Sequence, residues 1–287
     1  MGMAIEAGKE QVMTVINTNV SALRAQNNSR VANQMQSQAM ERLSSGKRIN
    51  AAKDDAAGLA IATRMEANAR GLTQAIRNAN DGISLAQTAD TAAGSISDIL
   101  VRMRELALQA STGTNGTTDR AAVQTEVAAL ISQIGDVASR TTFNGNTLIN
   151  GGVSTTAGFD IQTGLNATEV VNIRIANLNA TGLGVNALDF STAAGATGAR
   201  ATLDTAIQTV ATERANLGAQ QNRLTSAVDN LTSSVTNLSE SKSRIEDADF
   251  SVESTNLAAA GILAQASTAM LAQANQSSQG VMNLLRG

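Results

Sequence analysis

The 287-residue sequence lacks cysteine, histidine, proline, tryptophan and tyrosine, and it contains four phenylalanines. Without cysteine there is no disulfide or thiolate chemistry, and without histidine the commonest general base and the commonest metal ligand are missing. Without proline, no helix is interrupted by a missing backbone N–H. A core with so few aromatic rings has to be built from Leu, Ile, Val, Met and Ala, which favours slim, closely packed helices over an enzyme with a pocket.

Charge and hydropathy argue against two further classes of protein. Only 16% of the residues are charged and the net charge is −3, so the sequence has no basic face for nucleic acid. It has no continuous run of about 18 apolar residues that would predict a membrane-spanning helix. Residues 1–19 contain no apolar stretch long enough for a cleavable signal peptide. We therefore expect no cofactor, no metal, no nucleic-acid partner and no membrane insertion.

Two long heptad repeats dominate the sequence. The second one, here called the bundle seam, consists of Leu203, Ile207, Val210, Leu217, Leu224, Val228, Leu231, Val235 and Leu238. Arg214 and Gln221 interrupt it, and a matching repeat over residues 65–100 is interrupted by Asp90 and Ser97. Heptads of this length predict helices that pack along their length. Two such helices, far apart in sequence, can pair in one antiparallel bundle.

Shorter elements surround the two long helices. Helices are predicted over about residues 17–43, 59–109, 199–243 and 254–285, with a shorter one around residues 123–137. The pair Asn144 and Gly145 signals a tight turn, and the alternating strings FDIQTG and VVNIRI predict the strands of a hairpin. The predicted fold class is mainly α: a long antiparallel coiled-coil-like helical bundle with a small β-hairpin region and paired terminal helices.

Two acidic clusters are candidates for catalysis or metal binding. Asp54 and Asp55 form a carboxylate pair, but acids at a helix entry favour the helix dipole, which predicts a structural role. Glu246, Asp247 and Asp249 lack the spacing and the ligand number of an EF-hand loop, so a cap for the last helix is the better interpretation. Since the sequence also lacks a glycine-rich phosphate loop and a serine-nucleophile pattern, we predict that the protein is not an enzyme.

Eight strings of residues carry a resemblance to a known family. They are VINTNVSAL at 15–23, ERLSSGKRINAAKDDAAGLAIA at 41–62, RNANDGISLAQTAD at 77–90, RMRELALQAS at 102–111, FNGNTLI at 143–149, LGAQQNRL at 217–224, SRIEDADF at 243–250 and LAQANQSSQGVMNLLR at 271–286. In this order they closely resemble bacterial flagellin over nearly the whole chain. The resemblance implies an extracellular structural subunit that polymerises helically into the flagellar filament for swimming motility, exported without a cleavable signal peptide by the flagellar type III route.

The resemblance also implies a division of the chain into six segments. These are an N-terminal extension at 1–13, the N-terminal part of an inner-core helical domain at 14–56, the N-terminal part of a rod domain at 57–175, a short connector at 176–199, the C-terminal helix of the rod domain at 200–246 and the C-terminal part of the inner-core domain at 247–287. The connector stands where flagellins usually carry variable outer domains. The extension is a departure, because flagellins usually begin just before the VINTN-like string.

Partners and contact residues follow from the same resemblance. The implied partners are further copies of the chain, a cytoplasmic export chaperone, and hook-associated and cap proteins. Arg102, Leu106 and Glu126 resemble the surface recognised by the vertebrate flagellin-sensing Toll-like receptor, although packing between subunits is the expected primary role of that surface. The implied chaperone and filament-core contacts are Leu257, Ile262, Leu263, Leu271, Val281, Leu284 and Leu285.

Two alternative functions remain open from the sequence. One is a junction protein between hook and filament, which shares related terminal helices and does not elongate by itself. The other is a surface-displayed flagellin homologue that binds a polysaccharide or a host receptor. The complete DDAAG, RNANDGIS and LAQANQ strings favour the filament subunit over both.

Overall fold

The computed structural model of the protein describes residues 18–151 and 157–284, with side chains as far as residue 280. Five helices account for most of these residues: α1 (Val20–Ser45), α2 (Ala56–Ser111), α3 (Thr117–Arg140), α4 (Ala193–Glu246) and α5 (Phe250–Leu284). Four short strands lie between α3 and α4: β1 (Thr142–Phe143), β2 (Asn146–Thr147), β3 (Phe159–Gln162) and β4 (Val170–Ile173). The mainly α fold class is therefore confirmed.

The two C-terminal helices begin earlier than predicted. The hydroxyl of Thr192 accepts a hydrogen bond of 3.0 Å from the N–H of Gly195, and this cap starts α4 at Ala193 rather than near residue 199. The predicted connector over residues 176–199 therefore ends at Thr192. In the same way, the carboxylate of Asp249 accepts hydrogen bonds from the N–H groups of Ser251 and Val252. This cap starts α5 at Phe250 rather than near residue 254.

The chain divides into two compact units. The first, called the terminal unit, comprises Met1–Arg64 and Ser241–Gly287, and the second, called the central unit, comprises Met65–Glu240. Both long helices contribute residues to each unit.

Helices α2 and α4 run antiparallel in the central unit. Arg214 Nε lies 2.8 Å from Asp90 Oδ1, and Arg104 Nε lies 2.5 Å from Asp204 Oδ1. Residue numbers thus rise along α2 as they fall along α4. The core between the two helices contains every seventh residue of each: Ala79, Ala86, Ala93 and Leu100 from α2, and Leu203, Val210, Leu217 and Leu224 from α4.

Asp90 interrupts one heptad repeat and Arg214 interrupts the other, and these two residues form an ion pair with each other. Both side chains are partly exposed, and the hydrogen bond to Asp90 is the main cause that raises the pKa of Arg214 above its ordinary value. An ion pair in such a place contributes about 0.2–1 kcal/mol. Its larger effect is on register, because a shift of one helix by a heptad in either direction would separate the two opposite charges.

Helix α3 and two hairpins complete the central unit. Asn144 and Gly145 have φ angles of 49° and 81°, and the left-handed conformation at both positions is what the two-residue turn between β1 and β2 requires. Strands β3 and β4 pair antiparallel, with Phe159 opposite Ile173, which confirms the predicted hairpin. Asn78 of α2 donates a hydrogen bond of 3.4 Å to the carbonyl of Gln162, so this hairpin lies against α2.

Two helix glycines of the central unit give a matched prediction. A Cβ atom at Gly82 would lie 2.9 Å from Ile161 Cγ1, whereas a Cβ atom at Gly135 meets nothing within 4 Å. We expect Gly135→Ala to stabilise the protein by about 0.5–1 kcal/mol through helix propensity alone. Gly82→Ala gains the same propensity but incurs an overpacking cost of about 1–3 kcal/mol, so we expect a net destabilisation. Denaturant unfolding of both variants checks this, and equal stabilisation of the two would contradict the close approach at Gly82.

Candidate assembly surface

The terminal unit is built around the antiparallel pair of α1 and α5. Asn19 caps α1 by accepting a hydrogen bond of 3.0 Å from the N–H of Ala22, and its amide nitrogen donates to the carbonyl of Ala274 at 3.0 Å. At the other end of α1, Arg42 lies 2.8 Å from the buried carboxylate of Glu253. The beginning of α1 therefore lies beside the later part of α5, and the end of α1 lies beside its beginning.

Small side chains fill the interface between α1 and α5. Helix α1 buries three alanines at seven-residue spacing, and α5 buries a glutamate and three small residues at the same spacing: Ala25, Ala32 and Ala39, and Glu253, Ala260, Ser267 and Ala274. This set is called the alanine seam below. Small residues allow two helix backbones to approach more closely than Leu or Ile would.

Large apolar side chains of both helices lie on the outside of the pair. The exposed ones, called the apolar faces below, are Val20, Leu23, Val31, Met35 and Met40 of α1, and Phe250, Val252, Ile262, Leu263 and Met270 of α5. The central unit shows the opposite arrangement, since its large apolar residues are mostly inside. An exposed apolar surface of this extent in a folded protein marks a contact with another molecule.

The predicted chaperone and filament-core residues divide into three groups. Ile262 and Leu263 belong to the apolar faces, with 68% and 49% of their surface exposed. Leu257 and Leu271 are half-buried. The side chains of Val281 and Leu284, and the whole of Leu285, lie outside the described residues.

Helix α5 is long and apolar enough to cross a membrane by length and composition alone, over Phe250–Gly280. Helix α5 meets these two criteria, whereas the sequence analysis predicted no membrane-spanning helix because no apolar run is continuous. The reason is that residues 254–284 include no charged side chain, while their apolar residues are scattered rather than continuous. Most of this helix is not buried inside the chain, which is a further sign that it needs a partner.

Both acidic clusters make structural contacts. Asp55 accepts a hydrogen bond of 2.8 Å from the N–H of Gly58 and so caps α2. Asp54 accepts hydrogen bonds from two backbone N–H groups of the preceding loop, and the one from Ala51 is the main cause that lowers its pKa. Glu246 is buried between Lys47 and Lys242, with the Lys47 Nζ at 2.5 Å. Among the described residues, no group of acidic side chains is arranged to hold a metal ion.

The bundle seam is buried along most of its length in the central unit. Leu203, Val210, Leu217, Leu224 and Leu231 are buried, and Ile207, Val228, Val235 and Leu238 are half-buried. The seam therefore faces mainly the interior of its own unit.

The predicted receptor-contact residues do not share one surface. Arg102 donates hydrogen bonds to Glu126 at 2.9 and 3.1 Å and to Glu105 at 3.0 Å, and these bonds raise the pKa of its guanidinium. Arg102 and Glu126 are exposed, but Leu106 is only 2% exposed and belongs to the core. Four residues advance a helix by slightly more than one turn, and this rotation directs Leu106 toward the interior. The expected position of Leu106 on this surface is thereby corrected, since only Arg102 and Glu126 of the three are exposed.

The sequence analysis missed the alanine seam. Its search for heptads followed large apolar residues, and those of α1 and α5 face outward. A signal was nevertheless present, since alanines recur at positions 25, 32 and 39, and small residues recur at 260, 267 and 274. Two series of small residues at the same spacing indicate two helices that pack closely.

Comparison with known proteins identifies what this arrangement resembles. Residues 16–154 match the family model for the bacterial flagellin N-terminal helical region, and residues 201–285 match the one for the C-terminal helical region. The chain is 42% identical to a flagellin of Halalkalibacterium halodurans, over 95% of this chain and 100% of that one. It is 40% identical to a Bacillus subtilis flagellin, over 94% and 99%. It is 39% identical to the flagellar filament 33 kDa core protein of Treponema phagedenis, over 95% and 100%.

Proposed function

Because this chain is a member of the bacterial flagellin family, and thus a structural subunit of the flagellar filament, we propose that the apolar faces of α1 and α5 join one subunit to the next. Flagellins are structural proteins and their filament is extracellular, so self-assembly is the activity that the surface has to support. The proposal rests on where the terminal unit places its small and its large side chains. Its small residues hold the pair together, and its large apolar residues remain exposed.

The energetics favour burial of these faces in an assembly. Each large aliphatic side chain removed from water contributes about 1.5–3 kcal/mol. Ile262 and Leu263 are adjacent in α5 and so point about 100° apart around the helix, which allows one subunit to contact more than one neighbour. Contacts between different surfaces of identical subunits do not close on themselves and propagate as an open helix. The missing charge on residues 254–284 removes the desolvation cost that charged groups would add.

Seeded elongation with variants of Ile262 tests this proposal. Ile262 is 68% exposed, so Ile262→Lys leaves the interior of the subunit unchanged while it places a charge on the proposed contact. We expect the variant to unfold like the wild type and to elongate filament seeds at least about tenfold more slowly, because an unpaired buried charge is costly. Light scattering and electron microscopy measure the elongation.

The matched control is Ile262→Leu, which keeps the apolar volume. We expect this control to elongate at nearly the wild-type rate. If Ile262→Lys elongated filament seeds at the wild-type rate, the assignment of this face to subunit contacts would be wrong. Persistent monomers of the wild type with filament seeds would instead favour the junction-protein function.

We also propose that the exposed residues Ile262 and Leu263 are covered before assembly by a cytoplasmic export chaperone. An uncovered surface of this kind is an aggregation hazard, which gives the chaperone a physical role. Because the chain is a flagellin, we also propose that the subunit leaves the cell by the flagellar type III route. It then contacts hook-associated and cap proteins. A double variant, Ile262→Ser with Leu263→Ser, is expected to lose binding to the chaperone in calorimetry.

A surface of the central unit is the proposed contact for the vertebrate flagellin-sensing Toll-like receptor. Its exposed members are Arg102 of α2 and Glu126 of α3, which form a salt bridge between the two helices. The same two side chains can contact a neighbouring subunit in the filament. The roles of Arg102 and Glu126 can be separated by measuring receptor activation with monomers and elongation with seeds.

A further inference from the structure

The methionines of the chain differ sharply in exposure. Five of them have described side chains, and three of these belong to the apolar faces: Met35, Met40 and Met270 are 44%, 53% and 64% exposed. Met103 is completely buried in the core of the central unit, and Met65 is half-buried. Three exposed methionines therefore lie on the same faces that are proposed to join subunits.

We propose that Met35, Met40 and Met270 are an oxidation site, and that their conversion to methionine sulfoxide by a peroxide prevents the subunit from joining a filament. This inference rests on the proposed function, because it needs the apolar faces to be the contact between subunits. It adds a chemical modification that switches the contact off and that can be reversed.

The reaction is a two-electron oxygen transfer with hydrogen peroxide as the oxidant. A lone pair of the methionine sulfur attacks one peroxide oxygen, the S–O bond forms as the O–O bond breaks, and the departing hydroxide takes up the remaining proton to leave as water. The sulfur is oxidised and the peroxide is reduced. Exposure of the side chain decides the rate, because the peroxide has to reach the sulfur.

Oxidation changes the contact without changing the fold. The product is a polar group with a hydrogen-bond acceptor, in place of a flexible apolar one. On the free subunit the new oxygen is solvated, since the three side chains are exposed. Burial against a neighbour would remove that water, and an acceptor that is buried without a donor opposes association. Residues 254–284 of another copy would offer this oxygen no charged donor, because the stretch contains no Lys or Arg.

The experiment begins with the full-length subunit in dilute hydrogen peroxide. Peptide mass spectrometry gives the oxidation rate of each methionine. We expect Met35, Met40 and Met270 to react at least about tenfold faster than Met103, because susceptibility follows exposure. Comparable rates for Met103 and the three would overturn the assignment of the site.

Elongation of filament seeds then measures the consequence. We expect the oxidised subunit to elongate at least about tenfold more slowly, and methionine sulfoxide reductases to restore the rate. The triple variant M35L/M40L/M270L keeps the apolar volume and every other methionine of the chain, and its elongation is expected to be insensitive to peroxide. Full elongation of the sulfoxide form, failure of the reductases to restore the rate, or a peroxide-sensitive triple variant would each overturn the proposal.

The unoxidised subunit separates this proposal from the proposed function. If it fails to elongate seeds, the proposed function fails and the oxidation proposal fails with it. If it elongates and the fully oxidised subunit does so equally well, only the oxidation proposal fails.

Discussion

Leu106→Ala is expected to destabilise the central unit by about 2–5 kcal/mol, which is the usual cost of deleting a buried leucine side chain. Leu106 is 2% exposed and packs in the same core cluster as Met103 and Val127. The truncation leaves a cavity in this core that the surrounding elements cannot fill without moving. Denaturant unfolding of the full chain measures the loss as a lower midpoint.

Leu108→Ala is the matched control for this prediction. Leu108 lies two residues further along the same helix and is 57% exposed, so the same substitution is expected to cost less than about 1 kcal/mol. Equal midpoints for the Leu106 and Leu108 variants would contradict the buried position of Leu106.

Leu106→Ala and Arg102→Ala together decide how a loss of receptor activation should be interpreted. A Leu106→Ala subunit that activates the proposed receptor poorly has lost the support beneath α2, since its side chain cannot touch a partner. Arg102→Ala removes an exposed charge, and an exposed ion pair contributes about 0.2–1 kcal/mol. Weak activation by this variant with a normal unfolding midpoint would therefore report a lost contact.

The heptads of the central unit predicted their own packing because large apolar residues at this spacing have one good way to be buried. Leu217 and Leu224 lie in the core as their positions in the repeat require. The register of the two helices was also present in the sequence. It lies in the interruptions, since Asp90 and Arg214 have opposite charges and pair with each other. The apolar positions of a repeat are alike and fit together in several registers. A charged interruption distinguishes one register from the others.

The terminal unit was predicted less completely because the large apolar residues of α1 and α5 lie outside the helix pair. The pairing of α1 and α5 was expected, but the residues at the interface were not, because Ala32 and Ala260 are weak signals beside Leu23 and Ile262. Sequence patterns assume that large apolar residues are inside. A chain that assembles with copies of itself breaks this rule at the proposed contact, where burial comes only with the neighbour.

Local capping explains the remaining differences in helix ends. Thr192 and Asp249 each accept backbone N–H bonds that start a helix several residues before its apolar pattern begins. The predicted starts of α4 and α5 followed the apolar pattern and so lay too late in the sequence. The interpretation of the cluster of Glu246, Asp247 and Asp249 as a cap for the last helix is nevertheless confirmed at Asp249. A side-chain cap of this type can be identified in a sequence once the position of the helix is known. Many Thr and Asp residues that do not begin a helix occur in similar local sequences, so the cap alone does not predict where a helix starts.

Ala32→Leu is expected to separate α1 from α5 and to abolish seeded elongation. Ala32 is buried in the middle of the alanine seam, where the close approach of the two backbones leaves no space for a larger side chain. Leu and Ala are both good helix formers, so the effect comes from packing rather than from propensity. Overpacking costs about 1–3 kcal/mol even where neighbours can adjust. Here the apolar faces also lose the geometry that presents them. Circular dichroism and elongation rates measure the two effects.

Ala32→Ser separates the size of the side chain from its identity. Serine already occupies the alanine seam at Ser267, so we expect this variant to keep the helix pair and to elongate filament seeds. If Ala32→Leu elongates as well as Ala32→Ser, the two helices do not need their close approach for assembly. If only the leucine variant fails while its central unit unfolds at the wild-type midpoint, the defect lies in the pair. The small residues inside the pair would then be as necessary for assembly as the large ones outside, because they set the positions from which the apolar faces meet a neighbour.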